Sequence, residues 1–137
     1  MKACFIGLGY IGLPTAIVAA DNGIEVIGVD VNPKVVETIN RGKIHIVEPG
    51  LADLAAKVVQ NGGLKAQLEP EVSDVFLIVV PTPFTGDHEP DISYVEAATR
   101  SVIPYLKEGD LFIIESTSPV GTTEQMAELI FAERPEL

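Results

Sequence analysis

An apolar run, Ala3-Cys4-Phe5-Ile6, leads straight into Gly7-Leu8-Gly9-Tyr10-Ile11-Gly12, and this junction most narrows what the chain can become. The run reads as a buried strand, and three glycines at that spacing read as a tight turn opening a helix. Each glycine has its own task. Gly7 permits the turn, Gly9 lets the backbone approach a pyrophosphate, and Gly12 lets helix and strand pack closely. Backbone N–H groups freed at the helix start, with the positive end of its dipole, hold phosphate without any basic side chain. The spacing alone is a weak signal, since 12 glycines in 137 residues sometimes fall this way, and a structural turn followed by an ordinary capping Asp is the plain alternative. Asp30 supplies context. It ends a second apolar run 18 residues after Gly12, where an acid accepts hydrogen bonds from an adenosine ribose. Its charge repels a 2′-phosphate, which favours NAD over NADP.

The remaining pattern places this junction in a fold. Val26 to Val29, Val75 to Val80 and Leu111 to Ile114 are apolar runs without polar alternation, as expected of strands in a parallel sheet covered on both faces. Leu64 to Leu68 is a shorter candidate strand. Helices are expected over Tyr10 to Ala20, from Asn32-Pro33 to Gly42, and over Leu51 to Asn61 with Gly62-Gly63 as the stop. Ser93-Tyr94-Val95-Glu96 and Thr122-Thr123-Glu124-Gln125 have the spacing of capping boxes and open two more helices. Pro104 should end the first of these early. The order β-α-β-α-α-β-β-α-β-α predicts a doubly wound parallel α/β sheet, the Rossmann arrangement, of about five strands with helices on both faces. Residues 1–137 read as one domain. The chain ends on a helix that does not return to the sheet, so it is expected to be the N-terminal part of a longer enzyme.

Twenty Asp plus Glu against nine Lys plus Arg give a formal charge of −11. That balance repels phosphate backbones and anionic lipid headgroups, which excludes nucleic acid and membrane surfaces as partners. With 47% apolar residues, a chain of this size buries roughly two-thirds of its unfolded surface and needs no staple. The single cysteine, Cys4, excludes an internal disulfide, and in a buried strand its thiol behaves as a small inert hydrophobe. No stretch approaches the length of a membrane span and Met1-Lys2 does not open a secretory signal, so a cytoplasmic location is expected. His45 and His88 have no paired ligand spacing and read as solvated or locally bonded; no metal is expected.

Ligands of doubly wound sheets bind beyond the C-terminal strand ends, where strand order reverses. Two tracts are expected there: Pro81-Thr82-Pro83-Phe84, and Glu115-Ser116-Thr117-Ser118-Pro119-Val120-Gly121-Thr122-Thr123. Both bring hydroxyls to the mouth of the crevice, although turn and capping chemistry uses the same residues.

Together with Gly7-Leu8-Gly9-Tyr10-Ile11-Gly12-Leu13-Pro14, these tracts make the chain resemble, over all 137 residues, the N-terminal NAD-binding domain of the UDP-glucose/GDP-mannose dehydrogenase family. Arg41-Gly42 with His45-Ile46-Val47-Glu48-Pro49, and Phe84-Thr85-Gly86-Asp87-His88-Glu89-Pro90-Asp91, look closest to its members that act on UDP-N-acetyl-D-mannosamine. The resemblance implies oxidation of a UDP-sugar C6 hydroxyl to a carboxylate by two hydride transfers to two NAD. A cysteine holds the aldehyde as a thiohemiacetal and then a thioester. That Cys, with its Lys and Glu, lies in the following domain of family members; Cys4 does not match it, so this chain alone should be inactive. By motif, Tyr10 and Ile11 touch the pyrophosphate, Asp30 the adenosine ribose, and Thr82 the nicotinamide half. Thr117 lies near the reacting carbon in an auxiliary catalytic role, orienting water or steadying an oxyanion, and Thr123 is a further cofactor contact. Some members carry Lys five residues after the ribose acid; here Val35 stands there and Lys34 falls one position early. Glu48 is a looser candidate for facing substrate. Homo-oligomers are implied through domains outside this chain. UDP-glucose, UDP-N-acetylglucosamine and GDP-mannose remain alternative substrates, and a non-catalytic NAD sensor is an alternative of a different class. An S-adenosylmethionine site is a third, against which the pyrophosphate-type glycine spacing argues.

Overall fold

Each apolar run becomes a strand of one sheet. The structure, a computed structural model describing residues 1–137, contains β1 (Lys2–Ile6), β2 (Glu25–Val29), β3 (Leu64–Gln67), β4 (Val75–Ile78) and β5 (Leu111–Ile114). The helices are α1 (Gly12–Asp21), α2 (Pro33–Asn40), α3 (Leu51–Gln60), α4 (Ser93–Val102) and α5 (Thr122–Glu133). All strand pairs are parallel and their order is β3-β2-β1-β4-β5. Sequence order reverses at β1, so the loops after β1 and β4 diverge and open a crevice at that switch point.

The sheet separates two cores. On β1, Ala3 and Phe5 point into the cluster with Leu13, Ile17 and Val58, while Cys4 and Ile6 point into the one with Phe76, Val95 and Met126. Each fully buried aliphatic or aromatic side chain here contributes about 1.5–3 kcal/mol. Cys4 has no exposed surface, and burial pushes its thiol up to about 11. β5 departs from expectation. Phe112 and Ile114 pack on the second cluster, but Leu111 is 55% exposed and the strand is half-buried. As the edge strand, it has a neighbour on one side only.

The helix starts also depart from the sequence reading. At α4 the cap is not Ser93, which is already the first helical residue; Asp91 Oδ1 accepts the Ser93 N–H at 2.9 Å instead. Hydrogen bonds from Ser93, its hydroxyl foremost, hold the Asp91 carboxyl below the usual range. At α5 the chain enters the helix through Gly121 at φ +92, and Thr122 Oγ1 donates to Pro119 O at 2.8 Å. Asn32 caps α2 as expected, accepting from Lys34 N–H at 3.0 Å. Pro104 falls in a single 3-10 turn over Ile103–Tyr105 that ends α4. Arg134 closes this corner by donating to Ile103 O and Leu106 O at 2.9 and 3.3 Å. No helix is long and apolar enough to cross a membrane, and no three potential metal ligands cluster.

Candidate cofactor site

The loop between β1 and α1 is shaped by what its glycines lack. Gly7 has φ +106, and its N–H donates to Val29 O at 2.8 Å. A Cβ there would lie 2.1 Å from Val79 O, so only glycine lets the turn pass the end of β4. Gly12 is equally confined: a Cβ would meet Gly7 O at 2.1 Å and Val79 Cβ at 3.4 Å. Its requirement therefore comes first from the loop's own carbonyl and only then from strand packing. Gly9 is the opposite case, with no atom within 4 Å of a would-be Cβ. Its bare backbone faces open space.

Leu8, fully buried, anchors the loop from below. It fits because β2 carries Gly28 beneath it, where a Cβ would lie 2.9 and 3.0 Å from the two Leu8 methyls. Sequence reading missed Gly28, since its reason is a side chain 20 residues earlier. Asp30, just past β2, completes the loop: Oδ2 accepts the Leu8 N–H at 3.2 Å and Oδ1 the Asn32 N–H at 2.9 Å. Each carboxylate oxygen retains a lone pair for a further donor.

A cleft of about 340 Å³ lies over the switch point. Gly7, Gly9, Tyr10, Ile11, Asp30, Thr82 and Thr117 all line it, so sequence-distant candidates meet in one place. Gly12 supports the loop from behind. Thr123 is not in the cleft; it lines a separate hollow with Lys107, Asp110, Phe112 and Ala127. The cause is helical geometry, because Thr122 is buried against Pro119 and the next residue lies about 100° further round α5. Lys34, His45, Glu48 and His88 are exposed and line no part of the cleft. Val79 and Val80 line it without having been singled out from sequence, and Glu115 and Ser116 line it as members of the tract expected there, though with no role assigned to either.

The electrostatics are decided by the backbone. No Lys or Arg lines the cleft, and its charged residues are the acids Asp30 and Glu115. The N–H groups of Gly9, Tyr10 and Ile11 have no acceptor within the protein. Three unpaired donors beside the start of α1, over a backbone stripped of Cβ, form a cradle for phosphate. A carboxylate at the end of the neighbouring strand suits a ribose diol. This donor set fits an adenine dinucleotide.

The NAD binding domain of the UDP-glucose/GDP-mannose dehydrogenase family matches residues 1–137. The chain is 58% identical over 137 residues to a UDP-N-acetyl-D-mannosamine dehydrogenase of Campylobacter jejuni, covering 99% of this chain and 34% of that protein. It is also 58% identical over 132 residues to an NDP-N-acetyl-D-galactosaminuronic acid dehydrogenase of Ralstonia nicotianae, covering 96% and 31%. Among solved structures, the UDP-N-acetyl-mannosamine dehydrogenase Cap5O of Staphylococcus aureus superposes with a TM-score of 0.94 at 41% identity, covering 98% of this chain and 33% of that one. The chain thus spans about a third of the length of these relatives. With its glycine cradle and ribose acid over a β3-β2-β1-β4-β5 sheet, the chain belongs to the UDP-glucose/GDP-mannose dehydrogenase family and constitutes its NAD-binding domain.

Proposed function

We propose that this chain is the N-terminal third of a nucleotide-sugar 6-dehydrogenase that oxidises UDP-N-acetyl-D-mannosamine to the corresponding uronate, consuming two NAD. The observation that carries the reading is the convergence of three unpaired loop N–H groups with Asp30 in one cleft. The names of the relatives support the sugar. So do the two loops noted in the sequence.

Bound NAD supplies a hydride acceptor. The protein's own residues do the binding. Tyr10 and Ile11 N–H hold the pyrophosphate, and Asp30 accepts from the adenosine ribose. Thr82 and Thr117 mark the nicotinamide end, and neither hydroxyl has a partner within the protein. The Thr117 hydroxyl orients water or steadies negative charge on the reacting oxygen. Thr123 is left out of this set by its position. A nucleophilic Cys with its Lys and Glu comes from polypeptide beyond these residues, because the only thiol here is buried in β1. By itself the chain binds NAD and oxidises nothing. The reading extends to a cytoplasmic enzyme assembled as a homo-oligomer through its other domains.

The test is NADH formation by the full-length polypeptide with a panel of UDP- and GDP-sugars. Two NADH per UDP-N-acetyl-D-mannosamine is the expected result. Two per another sugar keeps the chemistry and overturns the substrate, while turnover by these 137 residues alone overturns the placement of the nucleophile. No turnover with any sugar points to an NAD sensor.

A further inference from the structure

At the nicotinamide end of the cleft, β4 and β5 stop being joined by backbone alone. The N–H groups of Glu115 and Ser116 both donate to Ile78 O, at 2.9 and 3.2 Å, which occupies that carbonyl. The following polar groups of the β4 segment belong to Val80, and both go to one side chain. Val80 N–H donates to Ser116 Oγ at 2.9 Å, and Ser116 Oγ lies 2.9 Å from Val80 O. A hydroxyl has one proton. Val80 O takes it at the shorter distance, with Ile78 O at 3.3 Å as the longer alternative.

The other edge of the same segment is held by backbone, Val79 N–H donating to Ile6 O at 2.8 Å. The stretch leading to Thr82 is therefore tied to β1 by the main chain and to the end of β5 by the Ser116 hydroxyl. Thr82 follows Val80 by two residues, and Thr117 is the neighbour of Ser116. Both threonines line the cleft, and neither makes a hydrogen bond of its own within the protein. Their separation is set by what holds their neighbours. A serine acting only in a local turn would bond within two to four residues; this one bonds 36 and 38 residues away.

We infer that Ser116 is a positioning residue: its hydroxyl clasps the end of β4 to the end of β5 and so sets the spacing of Thr82 and Thr117 for the nicotinamide half of the cofactor. This deepens the cofactor reading above and rests on it. Removing the hydroxyl, as Ser116→Ala does, leaves Val80 N–H and C=O without their partner, and the two loops lose register where the nicotinamide riboside lies. The adenosine and pyrophosphate contacts, on the β1 and β2 side, keep their own supports.

The test compares binding of NAD with that of ADP, which carries the adenosine and pyrophosphate but no nicotinamide riboside, by calorimetry on the full-length polypeptide. Ser116→Ala is expected to weaken NAD about tenfold while ADP stays within about twofold; Ser116→Thr, which keeps the hydroxyl, binds both like the parent. A general loss of fold cannot produce that split. Should Ser116→Ala not fold, Ser116→Cys serves, with a smaller loss for NAD alone because the thiol bonds weakly. Equal changes for the two ligands, or no change in either, overturn the clasp. Asp30→Ala, expected to weaken both ligands by a common factor, is the control for the underlying reading. If it alters neither, the cofactor placement fails and takes this inference with it.

Discussion

Gly9 and Gly12 lie three residues apart, one in the loop and one at the start of α1, and the geometry separates their roles so sharply that alanine at each should affect stability differently. At Gly9 an added methyl meets nothing within 4 Å and φ is not in the left-handed region, so the fold tolerates it. Reduced freedom of the unfolded chain favours Gly9→Ala by about 0.4–1 kcal/mol. The methyl nevertheless occupies space where phosphate must approach the backbone, and NAD affinity should fall at least tenfold, about 1.4 kcal/mol. At Gly12 the methyl lies 2.1 Å from Gly7 O, a backbone atom inside the turn. A heavy-atom contact needs more than 3 Å, so the loop must move by about 1 Å, and overpacking of this kind costs about 1–3 kcal/mol. For a domain of this size that lowers Tm by roughly 3–12 °C. Thermal unfolding followed by circular dichroism, with NAD titration by calorimetry, reads both quantities. The expected pattern is an intact Tm with lost binding for Gly9→Ala, and a lowered Tm with lost binding for Gly12→Ala. A Gly9→Ala protein that binds NAD like the parent refutes the placement of the phosphates on this loop.

Three more outcomes follow from the same structure. Asp30→Ala removes a charged acceptor for the ribose and releases the Leu8 and Asn32 N–H groups; NAD affinity should fall by about 1.5–3 kcal/mol, and the gap between NAD and NADP should narrow. Unchanged NAD binding in calorimetry contradicts the ribose assignment. Cys4, buried with its thiol pushed up to about 11, should resist a maleimide at pH 7 in the native protein and react fully in denaturant; rapid native labelling, read by mass spectrometry, contradicts the buried placement. Lys2 Nζ lies 2.7 Å from Glu71 Oε1, holding the Glu71 carboxyl below its ordinary 4.5 and the Lys2 amine above its ordinary 10.5. The pair's contribution is complete between those values, lost as pH falls through the lowered Glu71 value, and lost again as pH rises through the raised Lys2 value. Because both side chains are partly exposed, Glu71→Gln should cost under about 1 kcal/mol at pH 7 in urea unfolding, and the difference should vanish in acid.

Much of this architecture is legible in the sequence. Buried parallel strands have to be continuous apolar runs, so the order of elements could be read from Ala3-Cys4-Phe5-Ile6 and its counterparts, including the short strand at Leu64. Helix starts were less legible. Ser93 and Thr122 satisfy the capping-box spacing, but the spacing does not say which residue stands at the cap, and Ile92 and Gly121 hold it one position earlier, with Asp91 accepting the Ser93 N–H. β5 looked as buried as β1 because its residues are equally apolar; edge position belongs to topology, not to composition. In the site, Gly7, Gly9 and Asp30 carry local signals, whereas Gly28 acts on a partner 20 residues away and carries none, and Ser116, although in a tract expected at the crevice, bonds 36 residues away to a partner no local pattern names. Thr123 shows the converse, being close in sequence to Thr117 but turned to a separate hollow by the first residues of α5.

The most direct test of the central claim is a crystal structure of the protein with NAD bound. The pyrophosphate oxygens should lie within about 3.2 Å of the Tyr10 and Ile11 N–H nitrogens, the adenosine ribose hydroxyls on Asp30, and the nicotinamide between Thr82 and Thr117. A dinucleotide bound with its pyrophosphate away from this loop, or lying in the reverse direction along the cleft, contradicts the account.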